Sequence, residues 1–184
     1  FAMINTFKMN LKLFKLFIFI LYLLSPTLTY SIEHPNIKNL IIYKEPKKLE
    51  NIVFKNYKGE IIKLSEFRNK LVVLNFWATW CLPCREEMPS LDQLASNEIF
   101  KNISVIPINI GRESQSKSEN FFNEINIKNL NIFYDSSTDI PNKLSLRGIP
   151  TTILVNKNGE EFARILGAVD FKNKDLISWL NKFD

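Results

Sequence analysis

The sequence predicts a three-layer α/β domain built on a central mixed β-sheet. Segments with strand and helix signatures alternate along the chain. A β-branched and aromatic run, "KLVVLNFW" from Lys70 to Trp77, passes almost directly into a stretch of helical period from Cys81 to about Ala95. The 184 residues are 46% hydrophobic and 23% charged, which suits one globular domain with additional segments.

Residues 1–31 read as a targeting segment. Lys8, Lys12 and Lys15 come with no acid, followed by nine uncharged residues from Leu16 to Leu24 ("LFIFILYLL") and then "SPTLTYS". A spanning helix takes roughly 20 apolar residues, so a cleaved signal peptide and a retained N-terminal anchor with snorkelling lysines both stay open. Either one sends the domain to the periplasm or to the outer face of the cytoplasmic membrane, with the positive end left inside. The formal charge is +5, and outside this segment 21 basic residues face 19 acidic ones. No basic block remains to recommend nucleic acid as a partner.

Residues 32–50 carry two prolines and little period, and read as a linker. The domain is expected over 51–184. "NIVFKNYKGEIIKL" reads as two short strands around the turn Lys58-Gly59. Lys70 to Trp77 should be a strand buried on both faces, and "NISVIPINI" (Asn102 to Ile110) a second buried strand. Ser114 to about Ile127 reads as a polar helix with Phe121 and Phe122 inward, followed by a short strand in "LNIFYD" and a short helix near Thr138 to Leu144. "TTILVNKNGEEFARIL" is a hairpin turning at Asn158-Gly159. Phe171 to Phe183 closes the chain as a helix packing Leu176, Ile177, Trp179, Leu180 and Phe183.

The chain's two cysteines, Cys81 and Cys84, stand three positions apart. A structural zinc site needs about four ligands, and the single histidine, His34, lies in the expected linker; no metal site is assigned. A two-thiolate Cu(I) site stays open. A disulfide across three positions closes so short a loop that it stabilises the fold little. Outside the cytoplasm, dithiol–disulfide chemistry is the natural use. Cys81 falls where the helix begins, and free N–H groups there favour a thiolate. Cys84 sits one turn further in. Cys81 is therefore expected to attack a substrate disulfide and Cys84 to resolve the mixed disulfide. Pro83 suits the first helical turn, and Leu82-Pro83 is the pair expected to tune the potential. Helical spacing groups Glu87 with Leu91, Leu94 and Ala95 on the inner face, and Glu86 with Ser90, Gln93 and Asn97 on the wet face. A half-buried Glu87 should have a raised pKa and exchange protons with Cys84. Trp77 reads as core. Trp80, next to Cys81, reads as part of an exposed docking surface.

"FWATWCLPCREEMPSL", with "GEIIKLSEFRNKLVVLNFWATWC", "RGIPTTILVNKNGE" and "FARILGAVD", resembles the membrane-facing thioredoxin-like proteins TlpA and ResA. The resemblance covers roughly Asn51 to Asp184. It implies a thioredoxin-like fold with an N-terminal β-hairpin and a central αβ insertion. It also implies thiol–disulfide oxidoreductase activity of the cytochrome c or cytochrome oxidase biogenesis type. Cys81 would be the nucleophile, Cys84 the resolving thiol and Glu87 the buried glutamate. Pro150 would be a cis-proline facing the disulfide, with Ile149 before it pairing with substrate backbone. Thioredoxins carry a buried Asp where this chain has Asn75, which shifts proton handling to Glu87. The implied function is an exported reductase of client protein disulfides, re-reduced by a membrane thiol carrier. Its membrane contact would be the N-terminal segment if uncleaved, and it would need no cofactor beyond the Cys81–Cys84 redox disulfide. A disulfide-forming oxidant and a copper chaperone using the same thiols are the alternatives.

Overall fold

The computed structural model describes residues 14–15, 19–20, 34–136 and 139–184, divided between two units, Phe1–Ile32 and Glu33–Asp184. Of the first unit, residues 14–15 and 19–20 are helical. The targeting segment expected over 1–31 otherwise lies outside the described residues. Among the described residues, no helix is long and apolar enough to cross a membrane.

The second unit opens with strand β1 (Leu40–Lys48), then the hairpin β2 (Val53–Lys55) and β3 (Ile61–Lys63), then a 3-10 turn over Leu64–Phe67. Strand β4 (Leu71–Trp77) leads into helix α1 (Leu82–Ala95) and strand β5 (Ile103–Asn109). An insertion follows: α2 (Gln115–Glu124), β6 (Phe133–Asp135) and α3 (Ile140–Lys143). The hairpin β7 (Thr151–Val155) and β8 (Glu160–Leu166) and helix α4 (Lys174–Leu180) complete the chain. The eight strands form one mixed sheet in the order β1-β8-β7-β4-β5-β6-β2-β3.

The sheet is organised around β4, which pairs with β5 in parallel and with β7 antiparallel. All seven of its residues are buried, as expected for a strand covered on both faces. Side chains alternate across a strand, so Leu71, Val73 and Trp77 pack with Met88 and Leu91 of α1 and with Trp179 and Leu180 of α4. Val72, Leu74 and Phe76 pack on the other face with Phe54, Ile106, Ile108 and Ile140. Each such side chain contributes about 1.5–3 kcal/mol by burial. Trp77 is held further by Phe121 and Phe122, with ring centroids 5.0 and 5.3 Å away. The same alternation sends Asn75 to the face that α1 covers, where an apolar residue would be the rule.

Part of the expected linker is a strand. Leu40–Lys48 pairs antiparallel with β8, Leu40 opposite Ile165 and Lys48 opposite Glu160, with a register shift between Ile42 and Lys47. Its lysines and Pro46 are the residues that protect an edge strand from further pairing, and they hide its strand character locally. The partner strand lies more than a hundred residues downstream. β5 also differs from expectation: its first three residues are only half-buried.

Candidate active site

Four residues separate the end of β4 at Trp77 from the start of α1 at Leu82. Cys81 is the N-cap of α1, with extended backbone (φ −87°, ψ 104°). Its Sγ accepts the Cys84 N–H at 3.2 Å, and its carbonyl accepts the Arg85 N–H at 3.1 Å. The sulfur therefore sits among the unpaired N–H groups of a helix start, which favour a thiolate. Pro83 is in the first turn, where its missing N–H costs nothing. Cys81 and Cys84 are joined as a disulfide with Cα atoms 5.3 Å apart. Cys81 is 5% exposed and Cys84 fully buried, while Trp80 and Leu82 beside them are 67% and 66% exposed. Trp77 is wholly core and Trp80 is on the surface, as the sequence predicts.

Glu87 lies one helical turn beyond Cys84 and is 3% exposed. Its Oε1 accepts Asn75 Nδ2 at 2.7 Å and its Oε2 accepts the Val169 N–H at 3.1 Å. Asn75 also donates to Thr152 Oγ1 at 3.0 Å. Burial pushes the Glu87 pKa from the ordinary 4.5 up to about 7, against the lowering effect of the Asn75 and Val169 bonds. Glu86 is exposed. Ser90, assigned by helical spacing to the wet face, is instead buried: its hydroxyl donates to the Glu87 carbonyl at 2.7 Å and accepts the Phe171 N–H at 3.0 Å. The segment after β8 folds over this side of the helix and covers it.

The β4–β7 ladder sets Phe76 opposite Thr151, which brings Pro150 to the end of β4 from which the Cys81 loop departs. The Ile149–Pro150 peptide is cis. Pro150 is buried, Ile149 is half-buried, and the Pro150 carbonyl accepts the Gly167 N–H at 2.9 Å.

Sequence reasoning misses one residue at this site. Glu113 follows β5, and its side chain is 5% exposed. The parallel register sets Trp77 beside Asn109, so the segments leaving both strands meet. The Thr79 N–H donates to both Glu113 carboxylate oxygens at 3.1 and 3.2 Å, and the Thr79 hydroxyl donates to Oε1. Asn109 Nδ2 donates to Oε2 at 2.8 Å. Burial, the largest single influence, works to raise the Glu113 pKa; the Thr79 and Asn109 donors and the Lys117 ammonium 3.7 Å away together outweigh it and hold the carboxyl below its usual range. No local signal marks this acid, because strand register creates the contact.

Among the described residues, no group of three or more His, Cys, Asp or Glu side chains could hold a metal ion. The arrangement suits disulfide exchange: a sulfur at a helix start, a second sulfur sealed behind it, and a carboxyl that changes charge near neutrality.

Residues 46–160 match the AhpC/TSA family. The chain is 31% identical over 121 residues to the thiol-disulfide oxidoreductase ResA of Bacillus cereus, covering 66% of this chain and 69% of that one. Among solved structures it is similar to a DsbF homologue from Corynebacterium diphtheriae, with a TM-score of 0.66 and 25% identity over 84% of this chain and 99% of that one. It is also similar to a secreted thiol-disulfide isomerase from Corynebacterium glutamicum, with a TM-score of 0.63 and 25% identity over 83% and 98% of the two chains.

Proposed function

The chain belongs to the AhpC/TSA family and is a thiol–disulfide oxidoreductase of thioredoxin-like fold related to ResA, and on that premise we propose that it is an exported reductase of client protein disulfides. Cys81 is the attacking thiol, Cys84 the resolving thiol and Glu87 the proton acceptor. In the reducing direction the Cys81 thiolate attacks one sulfur of the client disulfide. A Cys81–client bond forms, the client S–S bond breaks, and the first client thiolate leaves and takes a proton from water. Cys84 then gives its proton to the Glu87 carboxylate and attacks Cys81 Sγ. The Cys81–Cys84 disulfide forms and the second client thiolate is released. Two electrons pass to the client, and a membrane thiol carrier returns the enzyme to the dithiol.

One observation carries the assignment of roles. Cys81 is the helix N-cap between the exposed Trp80 and Leu82, whereas Cys84 has no exposed surface. Only the first thiol is placed for a macromolecular disulfide to reach it. Trp80 supplies the apolar docking surface, Pro83 borders it, and Ile149 offers backbone to an extended client segment beside cis-Pro150. Export draws support from the lysine-led apolar segment before the domain and from the secreted relative in Corynebacterium glutamicum. Clients of the cytochrome c or cytochrome oxidase biogenesis type follow from the family resemblance.

Trapping tests this reading. A Cys84→Ser variant should accumulate a mixed disulfide through Cys81, identifying the client, and Cys81→Ser should accumulate none. Accumulation through Cys84 in the Cys81→Ser variant would reverse the roles. Equilibration against glutathione decides direction: a potential of about −270 mV supports the reductase and about −120 mV an oxidant.

A further inference from the structure

Thr79 stands between the core residue Trp77 and the exposed Trp80, where the chain crosses from strand to helix. Both of its donors are committed to one carboxylate: the N–H and the hydroxyl go to Glu113. Asn109 Nδ2, donating at 2.8 Å, anchors the same carboxylate from the end of β5. The contact is reinforced on the backbone, where the Ile110 N–H donates to the Trp77 carbonyl at 3.0 Å. The two segments also approach as closely as glycine permits. A Cβ added to Gly111 would lie 2.8 Å from Ala78 Cβ and 2.8 Å from a Glu113 oxygen. Hydrogen bonds, charge and close packing thus grip residues 77–79 immediately before the surface tryptophan.

We propose that Glu113 is a positioning residue: its carboxylate clamps Thr79 and so holds Trp80 as a preorganised shelf for protein clients beside Cys81. The inference rests on the docking role given to Trp80 above. With two-thirds of its surface exposed, Trp80 is little held by packing of its own. Its order has to come from the backbone next to it, and Thr79 is the adjacent residue, with both of its hydrogen-bond donors directed into the protein at Glu113. A preorganised side chain loses less freedom when a partner binds, so removing the clamp should weaken binding and leave the sulfur chemistry intact.

The test separates binding from chemistry by using two disulfides of different size on the reduced full chain. Insulin presents a protein disulfide, and oxidised glutathione is too small to need the shelf. Glu113→Ala should raise KM for insulin roughly three- to tenfold, the range that ordering one side chain spans, with kcat and the rate with oxidised glutathione within about twofold of the parent. An unchanged KM for insulin overturns the clamp. Equal losses with both disulfides overturn it as well, because they mark Glu113 as support for the whole site. Glu113→Gln keeps the bulk and one acceptor oxygen, and reads the same split should the alanine variant fail to fold. Trp80→Ala is measured alongside. If it leaves KM for insulin unchanged, the docking role fails and the clamp with it; if it raises KM and Glu113→Ala does not, the clamp alone fails.

Discussion

Glu87 in α1 and Glu113 after β5 lie on either side of the passage from β4 into α1, one bonded to Asn75 and the other to Thr79, and the protein treats the two carboxyls in opposite ways. Glu87 accepts one hydrogen bond on each oxygen inside the apolar layer between sheet and helix, and burial wins: its pKa rises to about 7. Glu113 takes both Thr79 donors, Asn109 and a nearby ammonium at the rim, and these donors win over burial. The balance between desolvation and donors separates a group that changes charge near neutrality from one that stays an anion. The first is fit to move a proton and the second to hold a backbone. Their contributions to stability run in opposite directions with pH. Glu87 contributes stability that is full below 4.5 and lost as pH rises through about 7. Glu113 contributes stability that is present above 4.5 and lost as pH falls through its lower folded value.

The largest effect expected is on the Glu87 side. Glu87→Gln should slow resolution of the mixed disulfide about a hundredfold at pH 7.5, the low end for removing a proton acceptor. The rise of the parent rate through pH 7 should vanish from the pH–rate profile. The same variant should be more stable than the parent at pH 8, by an amount on the order of 1–3 kcal/mol, measured by urea unfolding. An unchanged profile would remove Glu87 from proton transfer and leave it a buried polar residue, which would collapse the contrast between the two acids.

Asn75→Asp sharpens the contrast with a smaller change. It sets a second carboxyl against Glu87 Oε1, where the Asn75 amide now donates at 2.7 Å. Two carboxyls sharing one buried site cannot both ionise easily, so the pair should titrate with one step well above 7. The midpoint of the pH–rate profile should move up by about one unit, lowering the resolving rate at pH 7 roughly fivefold. A midpoint that stays in place would mean that another group sets it.

The contrast also shows how far sequence reaches. The passage from β4 into α1 was legible because strand composition, helical period and the position of Cys81 are all local properties. Glu87 was legible for the same reason, since helical phase separates it from Glu86. Phase misplaced Ser90 because it identifies a helix face without revealing that Phe171 will fold over that face and donate to the hydroxyl. β1 was hidden by its lysines and Pro46, and its partner β8 arrives only after the rest of the sheet. Glu113 was beyond reach because the Trp77–Asn109 register brings it to Thr79. Acids placed by their own helix can be read from the chain, and those placed by a neighbouring strand cannot.

The smallest effect expected divides the clamp itself. Thr79→Val removes the hydroxyl and keeps the one N–H that donates to both Glu113 oxygens. One hydrogen bond to a carboxylate is lost while shape is retained, so stability should fall by about 1.5 kcal/mol, the low end for a bond to a charged group. KM for insulin should rise roughly twofold, less than with the carboxylate gone. Because the two residues meet directly, their effects should not add. The Thr79→Val/Glu113→Ala double variant should match Glu113→Ala alone in KM. Additive losses would mean that the Thr79 hydroxyl reaches Trp80 by a route other than Glu113. The rim acid would then be one of several supports, and the division between proton carrier and anchor would hold only for Glu87.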